Sequence, residues 1–131
     1  MSGHLILIVE DNELNRKLVR DVLQAKGYRT LETETAEEGL RLAREHRPAL
    51  VLMDIQLPGM NGIEALSELR ADPSTKAIPV IAVTASAMTQ NRQQIMAAGF
   101  DGYQSKPINV AKFLDAVRQT LERGSDSEAA S

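Results

Sequence analysis

Two hydrophobic periods take turns along this chain. Leu5–Val9 is an unbroken aliphatic run, too short for a helix, and predicts a strand covered on both faces. Asn12 stands where an N-cap belongs. Behind it Leu14, Leu18 and Val22 recur at one-turn spacing with Val19 and Leu23 beside them, so the segment predicts an amphipathic helix with these residues on its apolar side. Gly27 is placed to end it as a left-handed cap. Tyr28–Thr33 reads as a second, weaker strand. Thr35 followed by Glu38 is a capping-box pattern, opening a helix through Leu40 and Ala43 that stops before Pro48.

The alternation then repeats. Leu50–Met53 predicts a buried strand, Leu57–Gly62 a loop rich in Pro, Gly and Asn, and Ile63, Leu66 and Leu69 a helical stripe ending near Asp72 and Pro73. Pro79–Thr84 is another aliphatic strand. Thr89–Ala98 predicts a polar helix closed by Gly99, and Tyr103–Ser105 a short strand. Val110, Phe113, Leu114, Val117 and Leu121 mark the strongest amphipathic helix. Five strands alternating with five helices imply an α/β domain, a parallel sheet with helices on both faces and right-handed crossovers. Residues 1–123 are expected to form this domain, and residues 124–131, small and polar, a frayed tail.

Composition narrows the function classes. At 131 residues the chain is one domain's worth, and 43% hydrophobic residues suffice for one core. No run of 18 or more apolar residues occurs, so no membrane insertion is expected, and the first residues lack the basic-then-apolar plan of a signal peptide. A cytoplasmic location is the expectation. The absence of cysteine removes thiolate catalysis, disulfides and Cys-based zinc sites. Fifteen Lys and Arg against eighteen Asp and Glu give a formal charge of −3, the wrong sign for a nucleic-acid module. Two Tyr, two Phe and no Trp leave no base-stacking platform and imply an aliphatic core.

In open α/β sheets, ligands bind outside the carboxyl ends of the strands. The predicted strands end in Glu10 and Asp11, Asp54, Thr84 and Lys106, so the topology delivers three carboxylates, a hydroxyl and an ammonium to one edge. Taken singly, each has a plainer reading as a helix cap, a turn residue, a β-branched strand residue or a solvated lysine. Together the carboxylates repel, by about 1 kcal/mol per pair at 4 Å in water and about 4 kcal/mol at an effective dielectric near 20. A hard divalent cation relieves this, and carboxylates with carbonyls and waters are the ligand set Mg²⁺ prefers. Glu10-Asp11-Asn12-Glu13 after the first strand is unlike any glycine-rich phosphate cradle, which weakens a nucleotide or flavin reading. Phosphorylation of a carboxylate fits better. An Asp can attack phosphorus and form an acyl phosphate, Lys106 can pair with the phosphoryl charge, and Thr84 can donate to it. Lys106-Pro107 is a candidate cis peptide.

Ile8-Val9-Glu10-Asp11-Asn12, Leu52-Met53-Asp54-Ile55-Gln56-Leu57-Pro58, Met60-Asn61-Gly62, Val83-Thr84-Ala85 and Ser105-Lys106-Pro107 resemble, in order and spacing, the receiver domains of bacterial two-component response regulators. The resemblance spans Leu5 to Arg123. It implies a flavodoxin-like, doubly wound sheet of strand order 2-1-3-4-5. It implies Asp54 as phosphoacceptor, and Glu10, Asp11, Asp54 and the Gln56 backbone carbonyl as ligands of Mg²⁺, or Mn²⁺ in its place. Thr84 and Lys106 would contact the phosphoryl group, and Thr84 and Tyr103 would act as the switch pair. Gln56, Ala85 and Ser86 would flank the path of hydrolytic water and tune the phosphoryl lifetime. The implied partners are a sensor histidine kinase or histidine phosphotransfer protein, and a downstream protein target on the face of the fourth helix, fifth strand and fifth helix.

The wording around Glu10 and Asp54 is closest in style to stand-alone receivers that act in cell division and cell-fate control. Such a chain is a signalling phosphoacceptor rather than an enzyme, and its output is expected to be its own surface. Two alternatives stay open: a constitutive interaction module with a vestigial acidic pocket, and a metal-dependent phosphatase with Asp54 as nucleophile. Against the latter, Ile55-Gln56-Leu57 offers no second acid beside Asp54.

Overall fold

A computed structural model describes residues 3–55, 57, 59–84, 89–106 and 108–130, with side chains described except at 89–92 and 123–130. Five strands, β1 (Leu5–Val9), β2 (Arg29–Thr33), β3 (Leu50–Asp54), β4 (Val80–Thr84) and β5 (Gly102–Ser105), alternate with five helices, α1 (Glu13–Ala25), α2 (Ala36–His46), α3 (Gly62–Ala71), α4 (Thr89–Ala97) and α5 (Val110–Ala130). All pairings are parallel and the strand order is β2-β1-β3-β4-β5, the doubly wound order expected.

The strands are apolar throughout because both faces are covered. Leu7, Val9, Val51, Met53, Val80 and Ala82 point to one side, where they meet Leu40 of α2, Leu66 and Leu69 of α3 and Ile95 of α4. Ile6, Ile8, Leu50, Leu52 and Ile81 point to the other, against Val19 and Leu23 of α1 and Phe113, Val117 and Leu121 of α5. The core is mostly aliphatic, yet both phenylalanines lie in it, Phe100 on the first side and Phe113 on the second. So few aromatics do not mean none inside; a ring's large apolar area favours burial wherever the layers leave room.

Helix α1 departs from its expected apolar side. Val19 and Leu23 are buried, but Leu14 is 78% and Leu18 42% exposed. A row taken every four residues drifts by about 40° per step at 3.6 residues per turn, which carries Leu14 about 140° around the helix from Val19. The core face is Val19, Val22 and Leu23; the row from Val22 back to Leu14 climbs out of it.

Caps follow local chemistry. Asn12 Oδ1 accepts from Asn15 N at 3.0 Å. Thr35 Oγ1 accepts from Glu38 N at 3.2 Å, but the Glu38 carboxylate pairs with Arg41, so only half of the expected box forms. The complete reciprocal box is at α3, where Asn61 Oδ1 accepts from Glu64 N at 2.9 Å and Glu64 Oε1 from Asn61 N at 3.2 Å. Helix α5 runs to Ala130, beyond the boundary expected after residue 123. Past Gly124 the segment holds no proline and includes the helix formers Glu128, Ala129 and Ala130; one glycine costs a helix only about 1 kcal/mol, too little to stop one already nucleated.

Candidate functional site

Register brings the strand ends level. Val9 is paired with Met53, so Glu10 emerges beside Asp54; Asp54 is paired with Val83, and Thr84 with Ser105, so Thr84 and Lys106 follow one step along. Backbone bonds hold this step: Glu10 N donates to Thr33 O at 3.0 Å, Ile55 N to Val83 O at 3.1 Å, and Lys106 N to Thr84 O at 2.8 Å.

Glu10 (4% exposed) and Asp54 (3% exposed) are buried, whereas Asp11 is exposed at the rim. One carboxylate oxygen from each of the three lies within 4.8 Å of the others. Lys106 Nζ sits between the buried two, 2.7 Å from Glu10 Oε1 and 3.1 Å from Asp54 Oδ2. Glu10 Oε2 also accepts from Asn12 N at 3.1 Å. Two carboxylates thus compete for one ammonium. Burial, followed by the hydrogen bond and charge of Asp54, pushes the Glu10 carboxyl up to about 7, against the pull of Lys106 and Asn12 N. For Lys106 burial is the largest influence and acts downward, but the hydrogen bonds and charges of Glu10 and Asp54 together hold its ammonium above the ordinary lysine value. The two directions agree: the cluster carries surplus negative charge, which a proton on Glu10 partly relieves.

The donor set fits a hard cation. Octahedral Mg²⁺ binds oxygens at about 2.0–2.1 Å, so its ligands stand about 3–4 Å apart. Carboxylate oxygens within 4.8 Å need close by at most about 2 Å, a side-chain adjustment, and all are hard oxygen donors. Neighbouring helices are packed close enough to keep the strand ends in place. A Cβ at Gly62 would stand 2.7 Å from Asp54 O and 3.0 Å from Ile55 Cα, so only glycine lets α3 begin this near the Asp54 backbone. A Cβ at Gly39 would stand 2.8 Å from Val9 Cγ2, which brings α2 against the end of β1.

Of the residues singled out by sequence, Glu10, Asp11, Asp54 and Lys106 are brought together, and Thr84 is buried at the adjacent strand end. Tyr103 is half-buried and packs on the α2–α3–α4 side of the core, in register with Ala82. Gln56, Ala85, Ser86 and Pro107 lie outside the described residues.

Sequence reasoning missed Arg16, whose Nη1 donates to the Glu10 backbone carbonyl at 2.9 Å. A signal was present: a cation near the start of a helix opposes the helix dipole, and so invites a search for another partner.

A family model described as "response regulator receiver domain" matches residues 6–118. The polar-differentiation response regulator DivK of Brucella anthropi is 50% identical over 116 residues, covering 88% of this chain and 94% of that protein. DivK of Brucella abortus (strain 2308) is 49% identical over the same shares. Among solved structures, the receiver domain of a sensor histidine kinase from Pseudomonas aeruginosa PAO1, with a magnesium ion coordinated in its active-site cleft, superposes with a TM-score of 0.85 at 31% identity, over 92% of this chain and 99% of that one. A CheY-like receiver domain protein from Methanospirillum hungatei JF-1 gives a TM-score of 0.87 at 30% identity, over 96% and 99%.

Proposed function

The chain belongs to the response regulator receiver domain family, and on that premise we propose that it accepts a phosphoryl group on Asp54 from a phosphohistidine and signals through the surface this changes. The observation that carries the reading is the buried Asp54 carboxylate, with Glu10 and Asp11 oxygens within 4.8 Å and Lys106 Nζ at 3.1 Å. Glu10, Asp11 and Asp54 would hold Mg²⁺, or Mn²⁺ in its place, and the bound ion supplies charge neutralisation for the phosphoryl oxygens during transfer.

Asp54 is the nucleophile. One carboxylate oxygen forms the new O–P bond as the N–P bond to the donor imidazole breaks, and the electron pair of that bond returns to the imidazole nitrogen. Lys106 exchanges part of its contact with the carboxylates for a phosphoryl oxygen, a charge-assisted bond. Thr84, one step along the next strand, donates its hydroxyl to the same group. The added charge of about −1.5 to −2 is drawn by these two donors. Movement at Thr84 and the neighbouring Tyr103 then alters the α4–β5–α5 face read by a downstream protein.

The exposed pair Leu14 and Leu18 lies on α1, the helix that follows Glu10 and Asp11, and supports a docking place there for the phosphohistidine protein. The names of the half-identical relatives support a role in cell division or cell-fate control.

The test is incorporation of phosphate from acetyl phosphate with Mg²⁺, read by intact mass. Wild-type protein gains one phosphoryl group and Asp54→Asn gains none. Stable labelling of Asp54→Asn overturns the acceptor assignment. A wild-type protein that neither labels nor responds to Mg²⁺ is instead a constitutive interaction module. Partner affinity that stays equally phosphate-dependent in Thr84→Ala removes Thr84 from the switch.

A further inference from the structure

Arg16 lies on α1, outside the motif residues, yet its side chain is only 15% exposed and each of its contacts leads toward the acidic pocket or anchors it from behind. Nη1 donates to the Glu10 backbone carbonyl at 2.9 Å. Nε lies 3.3 Å from Glu32 Oε1, and Nη1 lies 3.7 Å from Glu34 Oε1. Glu32 is itself held by Arg20, whose Nη1 is 3.2 Å from Glu32 Oε2. Glu32 stands on β2 in register with Ile8, two residues before Glu10.

Every polar group of Glu10 is therefore engaged. Its N–H donates to Thr33 O at 3.0 Å, its carbonyl accepts from Arg16, and its carboxylate accepts from Asn12 N and Lys106. The carbonyl is where the chain leaves the sheet and turns into α1. Without a donor there, the Glu10–Asp11 peptide loses a bond that fixes its orientation, and with it the direction in which Asp11 leaves the strand beside the Glu10 carboxylate. A guanidinium suits the position because its planar fork reaches a carbonyl and a carboxylate at once; an ammonium is a point charge and does not span both.

We propose that Arg16 is a positioning residue for the divalent-cation site, clamping the Glu10 carbonyl to the carboxylates of Glu32 and Glu34 so that Glu10 and Asp11 present their oxygens together. This rests on the phosphoacceptor reading above. Groups that orient metal ligands from behind typically change metal affinity by about 10–100-fold when removed. A simple charge effect has the opposite sign. Deleting a cation near an acidic pocket strengthens cation binding, so the direction of the change separates clamping from long-range electrostatics.

The experiment is titration of full-length protein with Mg²⁺ by calorimetry, and with Mn²⁺ by electron paramagnetic resonance, at pH 8. Acetyl phosphate labelling rates are measured across the same Mg²⁺ range. Arg16→Ala and Arg16→Lys are expected to weaken Mg²⁺ binding about tenfold or more, with the maximal labelling rate recovered at saturating Mg²⁺. Arg20→Ala, which removes contacts to Glu32 and Asp21 but none to Glu10 among the described residues, is expected to stay within about twofold of wild type. Should Arg16→Ala fail to fold, Arg16→Lys decides.

A lower thermal midpoint with unchanged Mg²⁺ affinity means that Arg16 is merely structural and overturns the proposal. Tighter binding overturns it in favour of a charge effect. Absence of Mg²⁺ binding or labelling in the wild type instead sinks the phosphoacceptor reading itself, and so is distinguishable from either result.

Discussion

Both ends of the sheet carry a charged cluster, and the two are built on different principles. At the amino end, Arg70 and Asp101 form one cation–anion pair at 3.0 Å. Arg70 Nη1 also donates to Ile78 O at 2.7 Å and Lys76 O at 3.1 Å, while Asp101 Oδ2 accepts from Val80 N at 2.8 Å. Charge is balanced and spare hydrogen-bonding capacity goes to backbone, so the cluster ties the α3–β4 loop to the starts of β4 and β5. At the carboxyl end, the described residues gather three carboxylates around one ammonium, which contacts two of them. That end is electrostatically incomplete, and its pull on cations follows from the deficit. A balanced cluster secures structure; an unbalanced one is poised to bind.

The sharpest way to break this comparison is Lys106→Ala. Removing the ammonium that contacts both Glu10 and Asp54 leaves two buried carboxylates facing each other, and breaking a buried pair typically costs about 3–5 kcal/mol. With Lys106 still slightly exposed, a loss of about 3 kcal/mol is expected by urea unfolding at pH 8 without divalent ions, much of it returned by Mg²⁺. A loss that Mg²⁺ does not reduce contradicts the idea of an unbalanced cluster.

A pH series comes next. Because the Glu10 carboxyl is raised from 4.5 to about 7, folded protein without metal binds a proton that the unfolded chain releases. Stability from this group is full below pH 4.5 and is lost as pH rises through about 7. Mg²⁺ must displace the same proton, so its affinity rises with pH up to about 7, by at most about tenfold, or 1.4 kcal/mol, per unit. Calorimetry across pH 5.5–8.5 checks the sign, and Glu10→Gln is expected to flatten the profile.

At the other end, Asp101→Asn keeps an oxygen for Val80 N but forfeits the charge, so about 1 kcal/mol of stability is lost, with Mg²⁺ affinity and labelling unchanged. An altered Mg²⁺ affinity there makes the two ends one coupled system rather than two. The smallest stability effect belongs to Leu14→Ser. The side chain is largely exposed, so unfolding free energy is expected to shift by under about 0.5 kcal/mol, whereas phosphoryl transfer from a phosphohistidine protein slows and labelling from acetyl phosphate does not. Equal rates from both donors move the docking place elsewhere.

Much of the site was legible because it lies at strand ends. Apolar runs such as Leu50–Met53 and Val80–Thr84 mark strands by local composition, and parallel topology sends the polar residue after each to one edge. Helix sides were less legible. Leu14, Leu18 and Val22 satisfy a spacing rule, yet the core takes Val19 and Leu23, since which arc of a helix is buried depends on where the sheet lies. Capping was legible in half: Thr35 and Glu38 have the right letters, but Arg41 one turn on attracts the glutamate. Arg16 was hidden because its partners, the Glu10 carbonyl and Glu32, are a backbone atom and a residue of another strand.

The amino-acid sequence by itself determined the alternation of strands and helices, the parallel sheet and the set of acids, hydroxyl and lysine at its carboxyl edge. These follow from interactions among near neighbours, where hydrophobic period and cap chemistry act over a few residues. Only the tertiary structure decided that Lys106 bridges Glu10 and Asp54 across separations of 96 and 52 positions, that α3 closes on Asp54 at Gly62, and that Arg16 holds the Glu10 carbonyl. Those contacts depend on angstrom-scale register and helix packing, which many distant residues set jointly and no local pattern records.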